Sequence, residues 1–284
     1  MRNIDNVAVV GAGTMGHGIA QVCAAAGCDV RLYDVNEEAV EQGTARIRAN
    51  LEKGIDRGKV TEDERDRVLE HLSTTTDLTD AAAGADLVVE AAPESMDLKE
   101  RIFREVATAA PDDALLASNT SSLSIGRIAQ AVPRPERFLG MHFFNPVHIM
   151  ALVEVVWGPE TGDEARDAVV DFARRLGKEP IVVKDAPGFA SSRLGVVLGL
   201  EAIRMVEQGV ATAEDIDKAM ELGYRHPMGP LKLTDLIGLD VRLGIAEYLH
   251  ETLASEAFAP PELLRRMVSE EKLGKKTGQG FYTW

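Results

Sequence analysis

Along a chain of 284 residues, the side chains best arranged for proton chemistry are His142 and Glu154. The histidine opens the run His142-Phe143-Phe144-Asn145-Pro146. The carboxylate lies in Leu152-Val153-Glu154-Val155-Val156-Trp157, which holds no other charge. Burying a charge in such a strand-like run is costly unless something pairs with it. An imidazole N–H is the expected partner, because the pairing fixes the tautomer and leaves the other ring nitrogen as an acceptor. That is an oriented general base. The same two residues could equally be a satisfied core histidine and a strand-end carboxylate, so the pair alone does not decide between chemistry and packing.

A second constellation opens the chain. Gly11-Ala12-Gly13-Thr14-Met15-Gly16 follows the strand-like Val7-Ala8-Val9-Val10 and leads into a helical stretch from His17 to Ala26. In this strand–turn–helix context the glycines have separate duties. Gly11 permits the tight turn, Gly13 lets a pyrophosphate approach the backbone, and Gly16 allows close helix–strand packing. Phosphates would then lie on a helix N-terminus, where free N–H groups and the dipole favour anions. Asp34 ends the next strand about 20 residues on, where a carboxylate accepts ribose hydroxyls and repels a 2′-phosphate. The expected cofactor is NAD, held by Gly11, Gly13, Thr14, Met15, Gly16 and Asp34. A third polar group, Ala117-Ser118-Asn119-Thr120-Ser121-Ser122-Leu123-Ser124, ends another strand, on the edge where open α/β sheets bind ligands. By composition it also reads as an ordinary Ser/Asn turn.

These groups must be positioned by a sheet. Strand-like runs lie at Val7–Val10, Val30–Tyr33, Leu87–Val89, Leu115–Ala117, Phe138–Phe143, Leu152–Trp157 and Ile181–Val183, with helical patterns between most of them. That alternation predicts an α/β fold, a Rossmann-like, doubly wound and mostly parallel sheet. From Asn36 to about Leu72 the pattern gives two helices, with a Thr61/Glu64 capping box at the start of the second, hence a helical-hairpin insertion. After Lys184-Asp185-Ala186-Pro187-Gly188 the strand signals stop. Helical spacing then covers Phe189–Val206, a segment capped by Thr212 with Asp215, Asp235–Leu253 and Pro261–Val268. The expected domains are residues 1–184, binding NAD, and an all-α C-terminal domain of residues 185–284, making substrate and dimer contacts.

Composition narrows the partners. A net charge of −15 disfavours nucleic acid. No apolar run reaches the ~18 residues of a membrane span, and the strand that starts at once leaves no room for a signal peptide, so a cytoplasmic protein is expected. Cys23 and Cys28 read as small buried hydrophobes, and no Cys/His cluster suggests a metal. Arg46, Arg48, Lys53, Arg57 and Lys59 run against the acidic trend, as a solvated helix face or a dock for substrate phosphates.

Ser118-Asn119-Thr120-Ser121-Ser122-Leu123, Gly140-Met141-His142-Phe143-Phe144-Asn145-Pro146, Leu152-Val153-Glu154-Val155, Pro187-Gly188-Phe189 and Lys275-Lys276-Thr277-Gly278-Gln279-Gly280-Phe281-Tyr282 follow one another in an order and spacing that resembles the L-3-hydroxyacyl-CoA dehydrogenases, the short bacterial 3-hydroxybutyryl-CoA type in particular. The resemblance covers the chain end to end. It implies hydride transfer between C3 of a 3-hydroxyacyl-CoA and NAD, with His142 as base and Glu154 orienting it. It further implies Ser121 on the substrate oxygen, Asn145 positioning substrate or nicotinamide, and Glu94, Lys99 and Lys276 as cofactor contacts. The CoA would lie along the helical hairpin, with Lys53 on a phosphate. Independently of the resemblance, the apolar stripes of the helical domain, which could also simply pack on each other, predict a homodimer joined through it, the commonest closed oligomer. One departure stands out: three residues beyond Phe189, where the family usually has an asparagine that contacts the reacting region, this chain has Ser192. A dehydrogenase of a small free hydroxy acid or sugar acid on the same plan, and a non-catalytic NAD-binding protein, are the alternative readings.

Overall fold

The computed structural model describes residues 3–284. The chain divides into two compact units, the first ending at Ala186 and the second spanning Pro187–Trp284. The first unit runs β1 (Asn6–Val10), α1 (Gly16–Ala25), β2 (Asp29–Tyr33), α2 (Glu37–Asp56), α3 (Glu62–Glu70), β3 (Leu72–Thr75), α4 (Leu78–Ala82), β4 (Leu87–Glu90) and α5 (Met96–Ala109). It continues with β5 (Leu115–Ser118), α6 (Ile125–Ala129), β6 (Phe138–Phe143), β7 (Leu152–Trp157), α7 (Asp163–Arg175) and β8 (Glu179–Lys184).

The eight strands form one sheet in the order β3-β2-β1-β4-β5-β6-β7-β8. Every neighbouring pair is parallel except β6 with β7. The sheet is therefore mostly parallel, as its strand–helix alternation implies. Every residue of β4, β5 and β6 is buried, which requires both faces of the sheet to be covered. β3 is an addition to the strands expected from the sequence. Its Leu-Ser-Thr-Thr is short, half polar and only partly buried at the sheet's edge, so it lacks the apolar signal of the central strands.

The hairpin is built by its caps. Asn36 accepts from the Ala39 N–H at 2.9 Å to start α2. At α3 the Thr61 hydroxyl accepts from Glu64 N at 3.2 Å, and the Glu64 carboxylate accepts from Thr61 N at 2.7 Å, so both halves of the capping box are present. Burial selects one face of α2, with Val40, Gly43, Ile47 and Leu51 inward and the charged residues outward.

The second unit is helical: α8 (Ser191–Glu207), α9 (Ala213–Lys218), α10 (Pro230–Ile237), α11 (Leu239–Leu253) and α12 (Glu262–Ser269). The single helix expected over Asp235–Leu253 is two helices. They part at Gly238, whose φ of +109° no side-chain-bearing residue adopts without strain. α10 starts earlier than the apolar spacing suggested because Pro230 takes the first helical position, where its missing N–H costs nothing. Buried Asp235 accepts hydrogen bonds from Phe281 N and Tyr282 N, both at 2.9 Å, and from Trp284 Nε1 at 3.0 Å. The C-terminal motif is thus tied to α10. A Cβ on Gly280 would lie 2.2 Å from Asp235 Oδ1, which explains the glycine.

Candidate active site

The one antiparallel step in the sheet creates the proton-transfer pair. β6 and β7 place His142 directly opposite Glu154 in the cross-strand register. Nδ1 of the imidazole lies 2.7 Å from Glu154 Oε2, with the residues 7 % and 0 % exposed. A carboxylate so enclosed demands a donor, so the Nδ1–H points at Glu154 and the lone pair sits on Nε2. Phe144 packs on the ring, centroids 4.5 Å apart. Buried Lys178 holds the loop beyond the pair, donating to the carbonyls of Val147 (2.5 Å) and Met150 (2.9 Å).

The Ser/Asn turn is fastened to the same strand. Asn119 Oδ1 accepts from Phe143 N at 2.9 Å, which links the turn after β5 to the residue beside His142. Glu94 shapes the rest of that turn. Its Oε1 accepts from Thr120 Oγ1 (2.7 Å), Ser121 N (3.0 Å), Ser121 Oγ (3.2 Å) and Ser122 Oγ (3.1 Å). Burial is the largest single influence on this carboxyl and pushes its pKa up. The nearby Lys99 ammonium and these hydrogen bonds together outweigh it, so the net shift is downward.

Lys99 is enclosed. It is 1 % exposed and gives Nζ to Glu90 Oε1 at 2.6 Å and to the Ala92 carbonyl at 3.2 Å, with Glu94 Oε2 at 3.5 Å. Within the protein its ammonium supports both Glu90 and Glu94. Glu90, 0 % exposed, also accepts from Ser118 Oγ at 2.6 Å and Ala92 N at 2.6 Å. Sequence reasoning passed over Glu90, although Leu87-Val88-Val89-Glu90 carries the same signal that drew attention to Glu154: one acid on an apolar strand.

The glycine turn fits a dinucleotide. Gly11 has φ +106°, and a Cβ there would meet the Ala91 carbonyl oxygen at 2.8 Å. A Cβ on Gly16 would fall 1.6 Å from the Gly11 oxygen, so the helix and turn meet backbone to backbone. Gly13 differs: beyond its own chain neighbours, no protein atom lies within 4 Å of where its Cβ would be, which leaves room for a ligand and no demand from packing. Met15 precedes α1 without a side-chain cap, after Thr14. No side chain therefore competes with an anion for the first helical N–H groups, of which His17 N bonds to the Gly13 carbonyl at 3.3 Å. Asp34 is anchored by Ala12 N and Val35 N, both at 2.7 Å, at the end of β2. These residues suit NAD, and the fixed carboxylate opposes a 2′-phosphate.

A cleft of about 1330 Å³ lies in the same unit, between α1, the helical hairpin and the loop after β6. Of the five basic residues singled out, Lys53, Arg57 and Lys59 line it; Arg46 and Arg48 do not. Arg67, Arg175, Lys178 and Asn145 join its wall. Ser192 and Lys276 belong to the second unit. Ser192 is in the first turn of α8, and Lys276 Nζ bonds to Asp240 Oδ2 at 2.6 Å.

Residues 6–186 match the family described as 3-hydroxyacyl-CoA dehydrogenase, NAD binding domain, and residues 188–284 match its C-terminal domain. The chain is 47 % identical over 283 residues to a 3-hydroxybutyryl-CoA dehydrogenase of Mycobacterium tuberculosis, covering 99 % of each. It is 43 % identical over 288 residues to the mitochondrial hydroxyacyl-coenzyme A dehydrogenase of Rattus norvegicus, covering 99 % of this chain and 91 % of that one. Among solved structures, FadB2 of M. tuberculosis superposes with a TM-score of 0.96 at 47 % identity over 100 % of both chains. The (S)-3-hydroxybutyryl-CoA dehydrogenase PaaH1 of Ralstonia eutropha gives 0.95 at 42 % over 99 % of both.

Proposed function

The chain belongs to the 3-hydroxyacyl-CoA dehydrogenase family, and from that premise we propose that it interconverts (S)-3-hydroxyacyl-CoA and 3-oxoacyl-CoA, with 3-hydroxybutyryl-CoA in its range and His142 as the base. Bound NAD supplies the acceptor for the hydride that leaves C3. His142 Nε2 takes the 3-hydroxyl proton as that hydride departs, and gives it back in the reverse direction. Glu154 fixes the tautomer and stabilises the imidazolium. Ser121 hydrogen-bonds the reacting oxygen, its rotamer set by Glu94, while Asn145 positions substrate or nicotinamide. Ser192 takes the asparagine's place beside the acyl group, and Lys276 serves the cofactor. Lys53, with Arg57 and Lys59, receives the CoA phosphates in the cleft of the first unit.

The single observation that carries this reading is the buried His142–Glu154 pair, opposed across two strands at 2.7 Å. We place the activity in cytoplasmic fatty acyl-CoA metabolism and assign it to a homodimer joined through the helical unit. Exposed apolar residues there, among them Leu194, Leu222 and Val241, support such an interface.

The decisive test is NADH formation across 3-hydroxyacyl-CoA chain lengths, with NADP and free hydroxy acids in parallel, for the parent enzyme and His142→Ala. Thioester turnover with NAD is expected, and its loss in the variant with NAD affinity unchanged. Turnover of free acids but not thioesters, or full activity in the variant, would overturn the proposal.

A further inference from the structure

Two histidines that the dehydrogenase reading leaves unused stand at the cleft of the first unit. His17, in the first turn of α1, and His148, in the loop after β6, both line the cavity. Helix and loop touch there. A Cβ on Gly18 would fall 2.8 Å from the Cβ of Val147, so the two elements meet at the residues next to the histidines.

His17 is held in one orientation. Its Nδ1 lies 2.7 Å from the Gly13 carbonyl oxygen, which can only accept, so Nδ1 carries the proton. In the neutral ring Nε2 then presents a lone pair, which repels a phosphate oxygen. Protonation turns the same atom into a charged donor. The empty cleft favours the neutral rings. Burial lowers the His17 pKa most; the Gly13 bond offsets this in part, and the Arg46 charge adds to it. At His148 burial, then His17 and then Lys178, all act downward.

The other charges of the cleft favour an anion. Glu64 is the one acid on its wall among the described residues, and its carboxylate is engaged by Thr61 N in the capping box. His71 is paired with Asp29, and Arg175 with Asp5. Lys178 turns its ammonium to the Val147 and Met150 carbonyls. Lys53 of α2, Arg57 and Lys59 of the turn after it and Arg67 of α3 complete the cationic wall. An anion seated among them stabilises the protonated form of both histidines.

We propose that His17 and His148 form a proton-gated clasp for the diphosphate of the cleft's ligand, which they hold only as imidazolium. The proposal rests on the reading of this cleft as the CoA site. His148 follows His142 by six residues along one strand and loop, and the diphosphate is the phosphate group of CoA closer to the thioester. Each binding event then takes up protons. The bound anion raises both histidine pKa values, so the added affinity is present at low pH and is lost as pH rises through the raised values.

The test is calorimetric titration of dephospho-CoA into the NAD-saturated protein between pH 8 and pH 5.5, in buffers of differing ionisation enthalpy. The diphosphate of this probe keeps its charge over that range, whereas the 3′-monoester of CoA titrates at about pH 6. The parent should bind roughly tenfold or more tightly at the acid end, the factor that one pKa unit at one histidine gives, and should draw protons from the buffer. His17→Gln combined with His148→Gln should abolish the uptake and flatten the pH dependence, with binding at pH 8 nearly unchanged. His142 remains in both proteins, so any protons it takes up cancel in the comparison. Each single variant should keep part of the uptake, and these carry the comparison if the double variant does not fold. Binding that is flat with pH, or an uptake unchanged in the variants, would overturn the clasp and leave the dehydrogenase reading standing. So would binding of CoA but not of dephospho-CoA. No binding of either at any pH would remove the CoA site itself, and the clasp with it.

Discussion

Two carboxylates in the same sheet invite comparison. Glu154 on β7 and Glu90 at the end of β4 are both 0 % exposed, and each bonds a nitrogen within 2.7 Å, His142 in one case and Lys99 in the other. The strands differ little; the partners differ in kind. A lysine ammonium only donates, whereas an imidazole gives and takes a proton near neutral pH. The Glu90 pair accordingly closes on itself through Ser118 and Ala92, and its outward reach ends at Glu94. The Glu154 pair instead contains a ring that can both donate and accept a proton. A buried acid on an apolar strand therefore marks a place where the fold has invested in a charge, and only its partner says whether the return is chemistry or rigidity.

The sharpest way to break this comparison is to exchange charge for shape at the first pair. Glu154→Gln keeps the volume but removes the negative charge that orients His142 and stabilises its imidazolium. Turnover with 3-hydroxybutyryl-CoA should fall ~10²- to 10⁴-fold, the usual worth of general acid–base catalysis, while KM stays within a few-fold. Steady-state kinetics at saturating NAD decides it. A KM effect with kcat preserved would put Glu154 in binding instead.

At the second pair the loss should appear in stability. Lys99→Met strands a carboxylate in the core, a change that costs ~3–5 kcal/mol. Urea unfolding should show it as a lower midpoint with little change in slope. The double variant Lys99→Met with Glu90→Gln removes both charges and should recover part of that loss. If the single variant unfolds like the parent but loses turnover as severely as Glu154→Gln, the two pairs are not different in kind.

The sequence made the first pair visible and hid the second for a physical reason. His142 and Glu154 stand twelve residues apart, on strands joined by a single loop, so one glance couples them. Glu90 and Lys99 are joined through a turn and a helix, and a lysine on an amphipathic helix reads as a solvated residue until burial is known. The glycine turn and the central strands were legible because their signals are local. β3 was not, since an edge strand is made by its neighbour more than by its own residues. Nor could spacing foresee the break at Gly238, because apolar periodicity runs through it and only a positive φ ends the helix.

A smaller effect ties the two pairs together through Glu94. Against partial desolvation, Lys99 and the bonds from Thr120, Ser121 and Ser122 hold this carboxyl below its ordinary range. In the unfolded chain the same group protonates at higher pH. Its contribution to stability is thus present above the ordinary glutamate range and is lost as pH falls through the lower, folded value. Glu94→Gln removes that proton uptake, so its stability should fall less steeply than the parent's in this acid window. Urea unfolding measured stepwise from pH 6 to the acid limit tests the sign, and parallel curves would mean that Glu94 is not held in its charged form.

The smallest effect is expected at Ser192→Asn, far from either carboxylate in sequence. Serine offers one donor and an acceptor on a short arm, while asparagine offers both on a longer one. Ser192 lies partly exposed in the first turn of α8 and is not among its buried residues. If the residue serves the acyl group through a bridging water, asparagine replaces that bridge with a direct bond, at little energetic difference. Turnover of 3-hydroxybutyryl-CoA should then change by no more than about threefold, with any shift appearing in KM. A collapse of kcat would mean that the serine is needed as a serine. Chemistry in this chain would then not rest on the His142–Glu154 pair alone, and the division between a working pair and a supporting pair would need a third, catalytic member on the helical unit.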